Sequence, residues 1–236
     1  MPIPDETREP MTPLRLVQEK QARPVGRHLP LGLSVVAVIA VTIAGFLVSS
    51  SPAWTSVDLA IVNAVGGTQT GFADGIAVGI NWVFGPPMAV LITLLVAASV
   101  LAFSRRLVTT VWFVFLVAVP WLGSDVIKLL VHRVRPNFPA LVHPIIATPT
   151  SWSFPSGHTA FAASLSLALI VILWKSRWHR LTVVAGVVLG LTVAVSRVYL
   201  GVHYPTDVLA SLVYSVAAVT IVNSAWAGLI APRWSR

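Results

Sequence analysis

The feature that most restricts this chain is a succession of apolar runs of about 20 residues, joined by short polar turns. As a helix, such a run covers about 30 Å, the thickness of a bilayer's hydrocarbon core. The first run extends from about Leu29 to Val48, and the second opens at Pro86-Pro87 and ends near Phe103. The third runs from about Leu107 to Leu130, with Lys128 in its last turn and Pro120 expected to kink it. The fourth starts after Pro155-Ser156-Gly157 and ends near Trp174; the fifth is about Leu181 to Leu200; the sixth begins after Pro205 and ends near Ile230. Only 10% of the 236 residues are charged, against about 25% in soluble domains. The expected fold is all-α: a polytopic membrane protein with six transmembrane helices in one bundle.

Residues 51–82 are milder. Val57, Ile61 and Val65 recur at helical spacing, Asp58 and Asn63 lie among them, and Gly66-Gly67 and Gly71 interrupt. This stretch predicts two short amphipathic helices at the membrane interface, between the first and second spans. Residues 1–28 mix Pro, Arg and Glu and read as a disordered cytoplasmic tail. Residues 29–231 form the transmembrane domain, and residues 232–236 a second cytoplasmic tail. Residues 132–157 are the one long polar loop of the core, and loops of that length are more often functional than idle.

Basic residues set the topology. Arg15, Lys20, Arg23 and Arg27 precede the first span, and Arg105 and Arg106 separate the second and third. Lys175, Arg177 and Arg180 separate the fourth and fifth, and Arg233 and Arg236 follow the sixth. With six spans, all four groups fall on one side, which the positive-inside rule makes cytoplasmic. The net charge of +8 is thus spread over short loops, a pattern suited to membrane lipid headgroups and not to nucleic acid. The absence of cysteine excludes disulfides and thiolate chemistry.

Three polar clusters fall on the opposite side. They are Lys128 with Arg135-Pro136, then Pro155-Ser156-Gly157-His158, then Ser196-Arg197 with His203 and Asp207. A charge at the bilayer centre costs about 2.5–3.5 kcal/mol on insertion scales, so their convergence on one face calls for an anionic substrate. Beyond residue 28 the carboxylates are Asp58, Asp74, Asp125 and Asp207. None is spaced to hold magnesium or zinc, so phosphoryl chemistry here depends on cations and positioning. Lys128, Arg135 and Arg197 can neutralise phosphate oxygens, the arginines in bidentate fashion. Ser156 and Gly157 open a helix, where free amides attract an anion, and Gly157 allows close backbone approach. Each also has a structural reading: Ser156 as a helix N-cap, Lys128 as a side chain snorkelling to the interface. His203 and Asp207 are four apart around a helix start. Asp207 could take the imidazole Nδ1–H and leave Nε2 bare as nucleophile or base. His158, in the first turn of the fourth span, could protonate a leaving oxygen. A single membrane histidine is more often a packing residue; two, with a carboxylate and three cations, favour catalysis.

These three clusters resemble the signature of the type 2 phosphatidic acid phosphatase (PAP2) superfamily, which also contains vanadium-dependent haloperoxidases and glucose-6-phosphatase. The signature is lysine, six residues, Arg-Pro; then Pro-Ser-Gly-His; then Ser-Arg, five residues, His, three residues, Asp. All three parts are intact, over roughly residues 30 to 230. The resemblance implies a six-helix core and metal-independent dephosphorylation, without cofactor, through a phosphohistidine. It makes His203 the nucleophile, Asp207 its orienting group and His158 the acid and then base. It gives Lys128, Arg135, Ser156, Gly157 and Arg197 to the phosphate. Asp125 lies outside the signature and is expected to pair with Lys128 or Arg133. The implied activity is that of a bacterial lipid phosphatase at the outer face of the cytoplasmic membrane. Its substrate class would be phosphatidic acid, phosphatidylglycerol phosphate or undecaprenyl diphosphate. Two other activities fit the same residues: a lipid-to-lipid phosphotransferase, and a non-catalytic phospholipid or anion carrier.

Overall fold

The computed structural model describes residues 31–136, 144–147 and 149–230. The expected tails, 1–28 and 232–236, and part of the polar loop lie outside the described residues. The first helix, α1 (Leu31–Ser50), turns its Val36, Ile39, Ile43 and Leu47 outward and buries Ser34, Val41 and Gly45. The milder stretch folds into α2 (Pro52–Gly66) and α3 (Gly71–Val83). Ser51 caps α2, with Pro52 next to it, and Thr70 caps α3; each hydroxyl accepts an otherwise orphaned helix amide. These helices have 15 and 13 residues, too few to cross a bilayer.

Helix α4 (Pro86–Ser104) begins on a proline and stops where Arg105 turns left-handed at φ 55°. Helix α5 (Leu107–Val131) stops in the same way at His132, φ 52°. It continues unbroken as helix through the buried Pro120. Then come α6 (Gly157–Ile172), α7 (His179–Tyr199) and α8 (Pro205–Ala225), the last followed by a π-helical turn, Trp226–Ile230.

Five of these helices, α1, α4, α5, α7 and α8, are long and apolar enough to cross a membrane. The fourth expected span differs. Helix α6 has 16 residues and covers about 24 Å at 1.5 Å per residue. It ends at Ile172, and residues 173–178 turn back toward α7. Its composition explains its place. Ala160, Ala162, Ala163, Ser164, Ser166 and Ala168 are buried and small, so α5, α7 and α8 all pack closely on it. At Gly186 of α7 a Cβ would lie 3.0 Å from the Ser166 Cβ, which shows how near the two helices run. The largest side chain on α6, Phe161, fills a pocket against Trp121 and Phe84, with ring centroids 5.2 and 6.1 Å away.

Two smaller clusters place the short helices. Val62 of α2 packs with Ala194, Val198, Tyr204 and Val208. Ala77 of α3 packs with Leu200 and Val202. Both short helices thus lie against the end of the bundle where α7 hands over to α8.

Candidate active site

The ends of four helices meet there. Lys128 is in the last turn of α5, with Arg133 and Arg135 just beyond it. Ser156 to His158 open α6, Arg197 is in the last turn of α7, and Asp207 is in the first turn of α8, next to His203. All of the residues singled out from the sequence therefore share one end of the bundle.

His203 is 1% exposed. Its Nε2 lies 3.0 Å from Arg135 Nη1. A guanidinium only donates, so Nε2 must present a lone pair and the ring hydrogen sits on Nδ1. Nδ1 faces Asp207 Oδ2 at 3.4 Å. The same carboxylate oxygen accepts the Tyr204 amide at 2.9 Å, which fixes it at the helix start. Burial is the main force holding the His203 imidazole well below its ordinary 6.5, and Arg135, Arg197, Lys128 and His158 add to it. The ring is neutral at neutral pH.

Arg135 is held on the other side by main-chain oxygens. Its Nε donates to Ser151 O at 2.7 Å and its Nη1 to Val202 O at 2.5 Å. Burial brings this guanidinium down to about 10, with Asp207 pulling the opposite way, so it stays protonated.

His158 and Arg197 meet at a residue the sequence did not single out, Asn81 of α3. Asn81 O lies 3.2 Å from His158 Nε2. A carbonyl only accepts, so this nitrogen carries the hydrogen. Arg197 Nη1 donates to Asn81 Oδ1 at 2.7 Å. Arg197 is wholly buried, and its Nε has no hydrogen-bond partner among the described residues. That is a charged donor in need of an acceptor. Lys128 Nζ donates to Asp125 Oδ1 at 2.8 Å, one of the two pairings expected for Asp125. A Cβ at Gly157 would lie 3.4 Å from the same ammonium, so the bare glycine keeps the backbone open toward Lys128. Ser156 is fully buried and acts as the N-cap of α6. Its hydroxyl accepts from Thr159 and its amide donates to Ser211 Oγ at 2.7 Å.

Arg133 follows a course the sequence did not indicate. Asp125 takes Lys128, and Arg133 turns inward to two carboxylates. Its Nη2 reaches Asp58 Oδ2 at 2.7 Å and its Nη1 reaches Asp207 Oδ1 at 2.6 Å. Asp58, left without a role in the interfacial stretch, is 2% exposed. The only signals for Asp58 and Asn81 were a carboxylate and an amide isolated in apolar helices.

A family model, that of the PAP2 superfamily, matches residues 109–229, which contain all three polar clusters. The chain belongs to the PAP2 superfamily. A crystal structure of a transmembrane PAP2 type phosphatidylglycerolphosphate phosphatase from Bacillus subtilis superposes with a TM-score of 0.69. That match covers 80% of this chain and 94% of the other at 24% identity, so the PAP2 fold extends well beyond the matched segment. Among curated relatives, phosphatidylglycerophosphatase B of Bacillus subtilis is 40% identical over 91 residues, 36% of this chain and 42% of the relative. Undecaprenyl-diphosphatase BcrC of the same organism is 37% identical over 90 residues, 38% of this chain and 44% of the relative. An undecaprenyl-diphosphatase of Sulfolobus acidocaldarius is 33% identical over 108 residues, 45% and 49%. The chain spans under half the length of these three relatives. Family and helices together make it a multi-pass membrane protein of the PAP2 type.

Proposed function

We propose that this PAP2 protein is a metal-independent lipid phosphate or diphosphate phosphatase that works through a phosphohistidine. The observation that carries the reading is the opposite state of the two Nε2 atoms. His203 presents a bare Nε2 between Arg135 and the other cations, while His158 presents a hydrogen on Nε2. The lone pair meets Arg135 Nη1 and the hydrogen meets Asn81 O; a substrate phosphate that displaces these two partners would find the nucleophile and the acid that in-line displacement at phosphorus requires.

In the first step the His203 Nε2 lone pair forms a P–N bond and the P–O bond to the lipid breaks. The leaving oxygen takes a proton from His158 in its imidazolium form, which leaves a neutral ring. Water then attacks phosphorus and gives its proton back to His158. The P–N bond breaks, its electron pair returns to Nε2, and phosphate leaves. Asp207 holds the Nδ1–H throughout. Arg197, Arg135, Lys128 and the amides that open α6 at Gly157 take the phosphate oxygens, and an oxygen at Arg197 would satisfy its unpartnered Nε. Ser156 supports that turn as its cap. Asp58, Asp125 and Asp207 each already hold a cation, so the site's neutralising charge comes from side chains.

In the membrane, α6 makes the fourth of six crossings, shielded by its neighbours, and the site opens on the extracytoplasmic side with both termini cytoplasmic. The relatives named for phosphatidylglycerophosphate and undecaprenyl diphosphate point to a lipid substrate of that class.

The test uses detergent-purified protein with phosphatidylglycerol phosphate and undecaprenyl diphosphate, reading phosphate release. His203→Ala should cost at least about 10³-fold in kcat. Wild-type turnover should survive EDTA and be blocked by vanadate. Turnover that persists in His203→Ala, or is lost on chelation, overturns the proposal. Label passing from lipid to lipid without phosphate release would make the protein a phosphotransferase.

A further inference from the structure

Behind His203 lies a buried ion cell that the three clusters do not describe. Asp58 of α2, Arg133 after α5 and Asp207 of α8 are 2%, 2% and 0% exposed. Arg133 divides its guanidinium between the two carboxylates. Thr206 Oγ1 receives a bond from Arg133 Nη1 at 2.6 Å and gives one to Asp58 Oδ2 at 2.5 Å. The Tyr204 ring covers the guanidinium face at 4.1 Å. The three charged groups are buried, Thr206 at their edge is half-buried, and Arg133 Nε has no hydrogen-bond partner among the described residues.

The charge of the cell matters to the chemistry proposed above, on which this inference rests. Attack on phosphorus turns His203 from neutral to cationic, in a pocket already crowded with Arg135, Arg197 and Lys128. Asp207 is the carboxylate that must favour that change, yet Arg133 sits on it at 2.6 Å. Asp207 and Arg133 alone would be neutral as a pair. Asp58 engages the other half of the guanidinium and restores one net negative charge to the cell. In a buried site such a charge is weakly screened.

We propose that Asp58 is a positioning residue: with Arg133 it holds Asp207 in place and supplies the net negative charge that lets His203 become cationic during phosphoryl transfer. The short helix α2 is then part of the machinery. A substitution that keeps its shape and removes its charge slows chemistry without weakening substrate binding.

The experiment measures kcat and KM of the full chain on phosphatidylglycerol phosphate in mixed micelles. Asp58→Asn can keep its amide oxygen in the place of Oδ2, where it still accepts from both Arg133 Nη2 and Thr206 Oγ1. It should lower kcat about 10- to 100-fold, the range by which losing the hydrogen-bond partner behind a metal-bound histidine lowers activity, with KM changed less than about twofold. Asp58→Glu should recover most of the loss. The double variant Asp58→Asn with Arg133→Gln again carries one net negative charge, on Asp207, and should turn over faster than Asp58→Asn alone. A merely structural Asp58 makes the double variant worse. The inference is overturned by wild-type kcat in Asp58→Asn, by a double variant slower than the single, or by a loss confined to KM. Should Asp58→Asn not accumulate, Asp58→Glu decides: near wild-type kcat supports the inference and a full loss overturns it. A His203→Ala control separates the two readings. If it is active, the proposed mechanism fails; if it is inactive and Asp58→Asn is normal, only the role of Asp58 fails.

Discussion

Replacing Asp207 with Asn changes one oxygen for an NH2 group, and the geometry fixes which one. Oδ1 faces Arg133 Nη1, a strong donor at 2.6 Å. The amide oxygen must stay on that side, so the NH2 group takes the place of Oδ2. It then faces the Tyr204 N–H, formerly at 2.9 Å, and the His203 Nδ1–H, formerly at 3.4 Å. Three donors now converge. The His203 ring relieves the conflict by moving its hydrogen to Nε2 and accepting at Nδ1. That removes the nucleophilic lone pair and points an N–H at Arg135 Nη1, 3.0 Å away. A wrong tautomer of a reacting histidine costs about 10⁴-fold in kcat, or about 5.5 kcal/mol of barrier at 1.36 kcal/mol per tenfold. Breaking a buried ion pair costs about 3–5 kcal/mol of stability, and because Arg133 keeps Asp58 the loss should fall at the lower end. The assay is phosphate release under saturating lipid, with a thermal melt of the same preparation. A kcat within about tenfold of wild type, on folded protein, would refute the tautomer argument.

His158→Ala should lower turnover of a lipid phosphate by about 10²–10⁴-fold while sparing an activated aryl phosphate, whose leaving oxygen needs less protonation; equal losses would remove the acid role. The rate should also depend on pH through His203, which must be neutral to attack. Burial, with Arg135, Arg197, Lys128 and His158 around it, lowers its pKa well below 6.5, and Asp207, backed by Arg133, is the carboxylate facing it. The acid limb of kcat/KM, corrected for substrate phosphate ionising near pH 6 (about), should therefore lie below 6.5; a limb above it contradicts the burial argument. Gly45→Ala should destabilise the bundle by about 1–3 kcal/mol, read as a lower melting temperature in detergent. Its Cβ would lie 2.5 Å from the buried Phe154 ring and 2.9 Å from Val131 Cγ2.

The helices were legible because their signals are local. Apolar runs, prolines at Pro86 and Pro205, and breaks at Arg105-Arg106 place most helix ends within a few residues of those found. Helix α6 is the exception. An apolar run gives no sign that its small residues will bury it among neighbours and end it at 16 residues. The polar clusters were legible for a different reason: charged groups in an apolar chain are costly, so each marks a place where something must compensate it.

Which partner does so was not legible. Lys128 finds Asp125 three residues away, within reach of a sequence argument. Arg133 finds Asp58 and Asp207 at separations of 75 and 74 residues, and Arg197 finds Asn81 at 116. The sequence by itself determined the long apolar helices, the gathering of the polar clusters at one end of the bundle and the residue types available for phosphate chemistry. Only the tertiary structure decided that Arg133 serves two distant carboxylates, that Asn81 joins His158 to Arg197, and that the His158 Nε2 carries a hydrogen toward Asn81 O. Hydrogen bonds and buried ion pairs depend on separations of a few tenths of an ångström, and those are set by how distant helices pack.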